Sequence, residues 1–393
     1  MWWLPRPIGV VRRVGPGLVA CVLMLAGCGG AGVVQGRVSP EPGCGHVTAD
    51  GKAAVFFVTS AGGTSACGYT YAGKPAGRLL TYPQCMEACA EPWPSPDGHY
   101  TLSGFTVTDT ASGHVVAQVP DDVADYVWAS DSRHLCGALS GPAVPGVLVI
   151  AGLGGRPEQV KLAPLFTGVR YSNTGLVVCD PRHARAVLQA SYWDVTAVAV
   201  VSLSNGAVLA GYDFPETGSG FPGPGTPVVT GVVASAGGRY LAMLHAIVPA
   251  SGSPGPDSPS AAVTTPGQPA APSPTGGSAP PIPAYLDIFD LDHPGRPIAR
   301  LAGAQTAAFS GDGTLLAEQV PRTYGGQVTR VVRWPDGQII WQSNETLAGE
   351  ASSPGVPVIA IATYRPGRPG DQIVLIRPDG QSIPVADGQL AGP

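Results

Sequence analysis

The chain is poor in charge. Asp, Glu, Lys and Arg make up only 12% of its 393 residues, and the only lysines are Lys52, Lys74 and Lys161. Net charge is -5, and no basic cluster occurs past the first residues. Nucleic-acid binding rests on many Lys and Arg contacts to phosphate, so no nucleic-acid partner is expected. Long apolar runs are also missing: the best, Leu18–Ala26, is shorter than the roughly 20 residues a membrane-spanning helix needs. There is no His-Glu-x-x-His, no Gly-x-Ser-x-Gly and no Gly-x-x-x-x-Gly-Lys-Ser/Thr, which removes the local signatures of zinc proteases, serine hydrolases and P-loop enzymes. The seven histidines (His46, His99, His114, His134, His183, His245 and His293) never fall at metal-ligand spacing. No catalytic residue, metal ligand or cofactor is assigned from the sequence.

What is abundant is glycine (55) and proline (42), with 44% hydrophobic residues. This favours turn-rich β structure around a large core over helices. The core-forming part is organised as a repeat. Trp93-Pro-Ser-Pro-Asp97-Gly98-His-Tyr-Thr-Leu reads as a strand end, a tight turn and a new strand. Trp128-Ala-Ser-Asp131-Ser-Arg-His-Leu and Phe309-Ser-Gly-Asp312-Gly313-Thr-Leu-Leu repeat it. Weaker copies centre on Asp50-Gly51 and Gly237-Gly238, and degenerate ones on Asp180-Pro181 and Pro354-Gly355. Glycine adopts the positive φ of a short turn freely and Asp tolerates it, while the Asp side chain bonds the turn backbone. Asp50, Asp97, Asp131 and Asp312 are therefore expected to form turns and not a ring of ligands. A second hairpin follows each copy, as at Ser204-Asn205-Gly206 and Asp379-Gly380. Four strands per unit and seven units predict an all-β, seven-bladed β-propeller over residues 44–390. The degenerate copies leave six and eight blades open. Trp93, Trp128, Trp334 and Trp341 are expected between blades rather than in a sugar site.

The segment 249–283 is Pro, Ser, Gly, Ala and Thr with one charge, Asp257. It is too poor in apolar residues to order itself and is expected as a disordered insertion in unit five, between its second and third strands. Residues 213–227 form another long turn-rich loop. Both are expected on one face of the propeller.

At the start, Arg6, Arg12 and Arg13 precede Leu18–Ala26, the pattern of a signal peptide. Leu25-Ala26-Gly27-Cys28 resembles the bacterial lipobox. The resemblance implies a signal peptide over 1–27, cleavage before Cys28, and acyl chains such as palmitate on that cysteine. It further implies anchoring to the extracytoplasmic face of the cell membrane. Residues 28–43 then form a flexible tether. Cys44, Cys67, Cys85, Cys89, Cys136 and Cys179 remain, an even number in an exported chain, and are candidates for disulfides. Cys136–Cys179 is expected, with two bridges among the first four.

The Trp-x-Ser-x-Asp-Gly pattern resembles the WD-repeat-like propellers of the TolB type. The resemblance spans about residues 44–390. It implies a rigid, non-enzymatic binding platform for a protein partner or a cell-envelope polymer. The alternative is a propeller hydrolase or lactonase with a metal in the central channel.

Overall fold

A computed structural model describes residue 44 and residues 53–59, 65–81, 92–139, 146–165, 173–192, 195–212, 227–247, 284–322, 326–367 and 370–391. The chain divides into two units, 1–40 and 41–393, and every described residue belongs to the second. The lipobox cysteine Cys28, the tether, Asp50, His46, Cys85, Cys89 and the segment 249–283 lie outside the described residues.

The second unit is a seven-bladed propeller. Blade two is Trp93–Pro94, Tyr100–Ser103, Thr106–Asp109 and Val115–Gln118. Blade three is Val123–Trp128, His134–Leu139, Val147–Gly152 and Glu158–Lys161. Blade four is Asn173–Asp180, Arg185–Tyr192, Val195–Ser202 and Val208–Tyr212. Blade five is Pro227–Ala234, Tyr240–Ile247, Ala284–Asp290 and Ala299–Ala302. Blade six is Thr306–Phe309, Leu315–Pro321, Gln327–Arg333 and Gln338–Ser343. Each is a separate antiparallel sheet with its strands in chain order.

The remaining seven strands form one sheet, which is two blades joined by a shared strand, Ser382–Ala391. Its first part pairs with Asp371–Ile376 and completes blade seven, after Thr346–Ala351 and Ile359–Tyr364. Its last residues, Gln389, Leu390 and Ala391, pair with Thr59, Val58 and Phe57. They supply the inner strand of blade one, whose other strands are Val55–Thr59, Ser65–Thr70 and Pro75–Thr81. The chain end thus closes the ring on its first described strand. Gly388 sits at the crossover, where a Cβ would lie 2.2 Å from Thr59 O. Closure of the ring removes the free sheet edge that an open array would present.

The core lies between blades and not within any one sheet. Trp128, Leu135 and Val149 of blade three pack on Leu102 and Val107 of blade two. Tyr240, Leu286 and Ile288 of blade five meet Phe309, Leu316 and Trp334 of blade six. Phe56 and Val58 of blade one meet Ala360, Ile373 and Leu375 of blade seven. Trp93 and Trp341 pack partly buried against such layers. Trp128 Nε1 also donates to Trp93 O at 3.0 Å, joining blades two and three. Among the described residues two disulfides are formed: Cys44–Cys67 holds the segment before blade one to its third strand, and Cys136–Cys179 links blade three to blade four.

Candidate functional site

The two faces of the propeller are built differently. One, the turn face, carries the connections from first to second and from third to fourth strands. Its first-to-second turns follow the repeat. Ser95 Oγ donates to Asp97 Oδ1 at 2.7 Å, and that oxygen accepts His99 N–H at 3.0 Å. Ser310 and Asp312 repeat this, with Thr314 N–H as the donor. Gly98 takes φ +70°, and a Cβ there would lie 2.3 Å from Val55 O of blade one. Asp131 accepts the backbone N–H groups of Arg133 and His134, and its second oxygen lies 2.6 Å from His134 Nδ1. Burial pushes its carboxyl up, but those bonds outweigh it and hold Asp131 below the usual carboxylate range. These carboxylates are engaged within their own turns.

Blade four departs from the repeat. Pro181–His183 forms a short 3-10 turn, and Ala184 takes the left-handed position at φ 49°. The fully buried Asp180 accepts Ser130 Oγ from blade three at 2.9 Å and His183 Nδ1 from its own turn. Arg185 donates to Gly238 O at 2.9 Å and Leu291 O, and pairs with Asp292 at 2.9 Å. This network ties blades three, four and five together. It is a clasp, with its charges consumed by the fold.

The opposite, loop face carries the second-to-third and blade-to-blade connections. Its two longest connections run from Tyr212 to Pro227, joining blade four to blade five, and from Ile247 to Ala284, joining the second and third strands of blade five. Their intervening residues lie outside the described ones. At their roots a polar group is assembled. His245 pairs across the sheet with Tyr285, and Tyr285 with Ala302. The His245 and Tyr285 rings stack at 4.5 Å and 9°. Arg300 donates twice to Asp287, at 2.7 and 2.8 Å, and its guanidinium lies 4.2 Å from the Tyr285 ring centroid. His245 Nε2 is 3.4 Å from Asp287 Oδ2, the oxygen that also accepts from Arg300 Nη2. Asp287 and His245 are buried, while the Arg300 side chain is 58% exposed. Tyr212, at the end of blade four, contacts Phe289 of the same blade-five strand, ring centroids 4.5 Å apart. The result is a planar cation on an aromatic face, fixed by a buried carboxylate, an arrangement suited to contacting a partner's carboxylates or carbonyls.

A third place is the central channel. The last residues of the inner strands enclose a cavity of about 390 Å³. Val127, Val177, Val233 and Leu390 line it, with Phe56, Trp93 and the backbone of the turn face. Glu350 is the one acidic or basic side chain among the described lining residues. It is accessible to the cavity yet surrounded by protein, and desolvation pushes its carboxyl above the ordinary value.

Among the described residues no three His, Cys, Asp or Glu side chains are grouped to hold a metal ion. The metal-dependent hydrolase or lactonase therefore gains no ligand set from them. The histidines sit apart: His134 and His183 on separate turns of the turn face, His293 85% exposed near Asp290, and His245 buried on the loop side. Neither the Tyr285–Asp287–Arg300 group nor Glu350 was singled out by sequence reasoning. A signal exists for each. Tyr285 and Asp287 alternate on the strand that leaves the low-complexity segment. Glu350 puts an acid where other inner strands carry uncharged residues.

No family model matches the chain, and no curated protein matches it. Among solved structures it is similar to a putative TolB from Agrobacterium tumefaciens, at 16% identity over 71% of this chain and 87% of that one, TM-score 0.35. It is similar to TolB from Acinetobacter baumannii at 14% identity, over 77% of this chain and 64% of that one, TM-score 0.35. The dihydro-heme d1 dehydrogenase NirN is similar at 13% identity, over 88% of this chain and 76% of that one, TM-score 0.43.

Proposed function

We propose that this protein is a lipid-anchored, extracytoplasmic binding platform. Its propeller holds a partner, a protein or a cell-envelope polymer, on the loop face at the gap between blades four and five. The observation that carries the reading is that the two longest connections both begin or end on blade five at this face, beside the exposed Arg300 stacked on Tyr285. Binding residues concentrate on loops held by a rigid scaffold, and the seven blades with their interblade clasps are such a scaffold. Disulfides Cys44–Cys67 and Cys136–Cys179 support an oxidising compartment. The sequence before Cys28 supports the lipid anchor, since two or more acyl chains hold a membrane stably where one does not.

Two variants test the two halves of this reading in intact cells. Cys28→Ser is expected to move the protein out of the membrane fraction, and a variant that stayed membrane-bound would remove the anchor from the account. Replacing 249–283 with a short Gly-Ser link is expected to abolish crosslinking to the partner while leaving the protein folded. Undiminished crosslinking would place the contact elsewhere.

A further inference from the structure

The central cavity presents a carboxylate that the fold does not use. Glu350 has no hydrogen-bond or ion-pair partner among the described residues, in contrast with the turn carboxylates and with Asp287. Three serines on the wall are engaged. Ser95 Oγ donates to Asp97 and accepts Tyr100 N–H, Ser130 Oγ donates to Asp180, and Ser235 Oγ accepts the N–H groups of Arg239 and Tyr240.

The position of Glu350 is distinctive as well. Ser95, Ala129, Asp180, Ser235, Ser310 and Ser353 open the first turn of blades two to seven. Three residues before them stand Pro92, Tyr126, Val177, Val232, Ala307 and Glu350. Five of the six are uncharged, so blade geometry does not require an acid there. Glu350 is open to the cavity, but the protein around it leaves its charged form less solvated than on a free surface, a cost that an apolar residue at this position would avoid. The elevated Glu350 carboxyl reflects that cost.

We propose that the cavity is a binding site for a small organic ammonium ion, held by its charge on the Glu350 carboxylate and by its apolar body against the walls. A volume of about 390 Å³ is at the lower end of the range of small-molecule sites and far too small for a folded partner. An anion would be repelled by Glu350 and meets no cation on the described wall. A divalent metal needs several oxygen or nitrogen ligands, and the described wall offers one carboxylate. An ammonium group needs one carboxylate. The partly exposed Trp93 and the apolar Val127, Val177, Val233 and Leu390 suit the body of such a ligand, and an indole face attracts a cation where it is reached.

The test uses the full chain in detergent and phenethylammonium as probe, with phenethyl alcohol as its neutral counterpart. Binding is read by calorimetry and by tryptophan fluorescence, for which Trp93 and Trp128 on the wall serve as reporters. The ammonium probe is expected to bind about tenfold or more tightly than the alcohol. Glu350→Gln is expected to bring the two to parity with an unchanged or raised Tm. Ala348→Phe, which places a ring in the cavity, is expected to weaken both. Amine affinity is expected to fall as pH falls through the elevated carboxyl pKa, because the proton competes with the ammonium ion. Equal binding of amine and alcohol to the natural chain, an amine affinity unmoved by Glu350→Gln, or no binding of the amine at all would each overturn the proposal.

Discussion

The two faces of the propeller differ in how most of their described carboxylates are held. On the turn face, Asp97, Asp131 and Asp312 spend their carboxylates on backbone N–H groups two or three residues away, and Asp180 is fully buried in a clasp between blades. Elsewhere acids reach across strands to arginines that remain largely open to solvent, Asp287–Arg300 and Glu345–Arg365 towards the loop face and Asp290–Arg239 on the turn face. The same residue type is structural where its bonds close locally and presents a charged surface where they do not. Repetition therefore marks one set of acids that make the fold, and Asp180, which departs from the repeat, belongs to the fold as well because its bonds close between blades.

Four predictions sharpen or break this contrast. The largest effect is expected at the ring closure. Gly388→Val would drive a side chain into Thr59 O, 2.2 Å from the Cβ position. It should cost about 3 kcal/mol or more and lower Tm sharply in calorimetry. A neutral result would mean the closing strand is not held in this register. Next, Asp97→Ala removes the acceptor of the Ser95 and His99 bonds. A loss of about 1–2 kcal/mol is expected with partner crosslinking intact. Lost crosslinking in a folded variant would give the turn face a role in binding.

The third prediction concerns pH. Folded Glu350 titrates above its unfolded value. Between the two values the folded chain holds a proton that the unfolded chain has lost, so its contribution to stability falls as pH rises through that window. Asp131, lowered by its turn bonds, acts oppositely: its contribution is present above the unfolded pKa and lost as pH falls through the folded one. Denaturation of Glu350→Gln should show a gain over the natural chain at about pH 8 and none well below the ordinary carboxylate range. Asp131→Asn should show a loss confined to the higher pH. A reversed pattern in either variant would contradict the assigned environments. The smallest stability effect is expected for replacement of 249–283, within about 1 kcal/mol, because loop-length changes cost little. A large drop in Tm would make that segment part of the scaffold.

Most of the architecture was legible because its marks are local. Asp97-Gly98 and Asp312-Gly313 announce turns through their own backbone chemistry, and Gly98 and Gly313 do take positive φ. Blade four was harder to read, since Pro181 and a left-handed Ala184 replace the usual pair. The closure of the ring was not legible. Pairing of Leu390 with Val58 joins distant parts of the sequence, and no local pattern encodes it. The same limit hid the binding candidates. His245, Asp287 and Arg300 meet only through the register of three strands and across an intervening low-complexity segment. Glu350 reads in isolation as an ordinary exposed strand residue, and only the ring of inner strands makes its exposed side face a central cavity.

The most direct test places a photo-crosslinking residue once at Arg300, on the loop side, and once at Asp379, in an exposed turn of the opposite face. Both proteins are expressed in intact cells and irradiated. The account predicts a defined adduct from position 300 and none from position 379. An adduct from 379 alone would put the partner on the turn face and contradict the central claim.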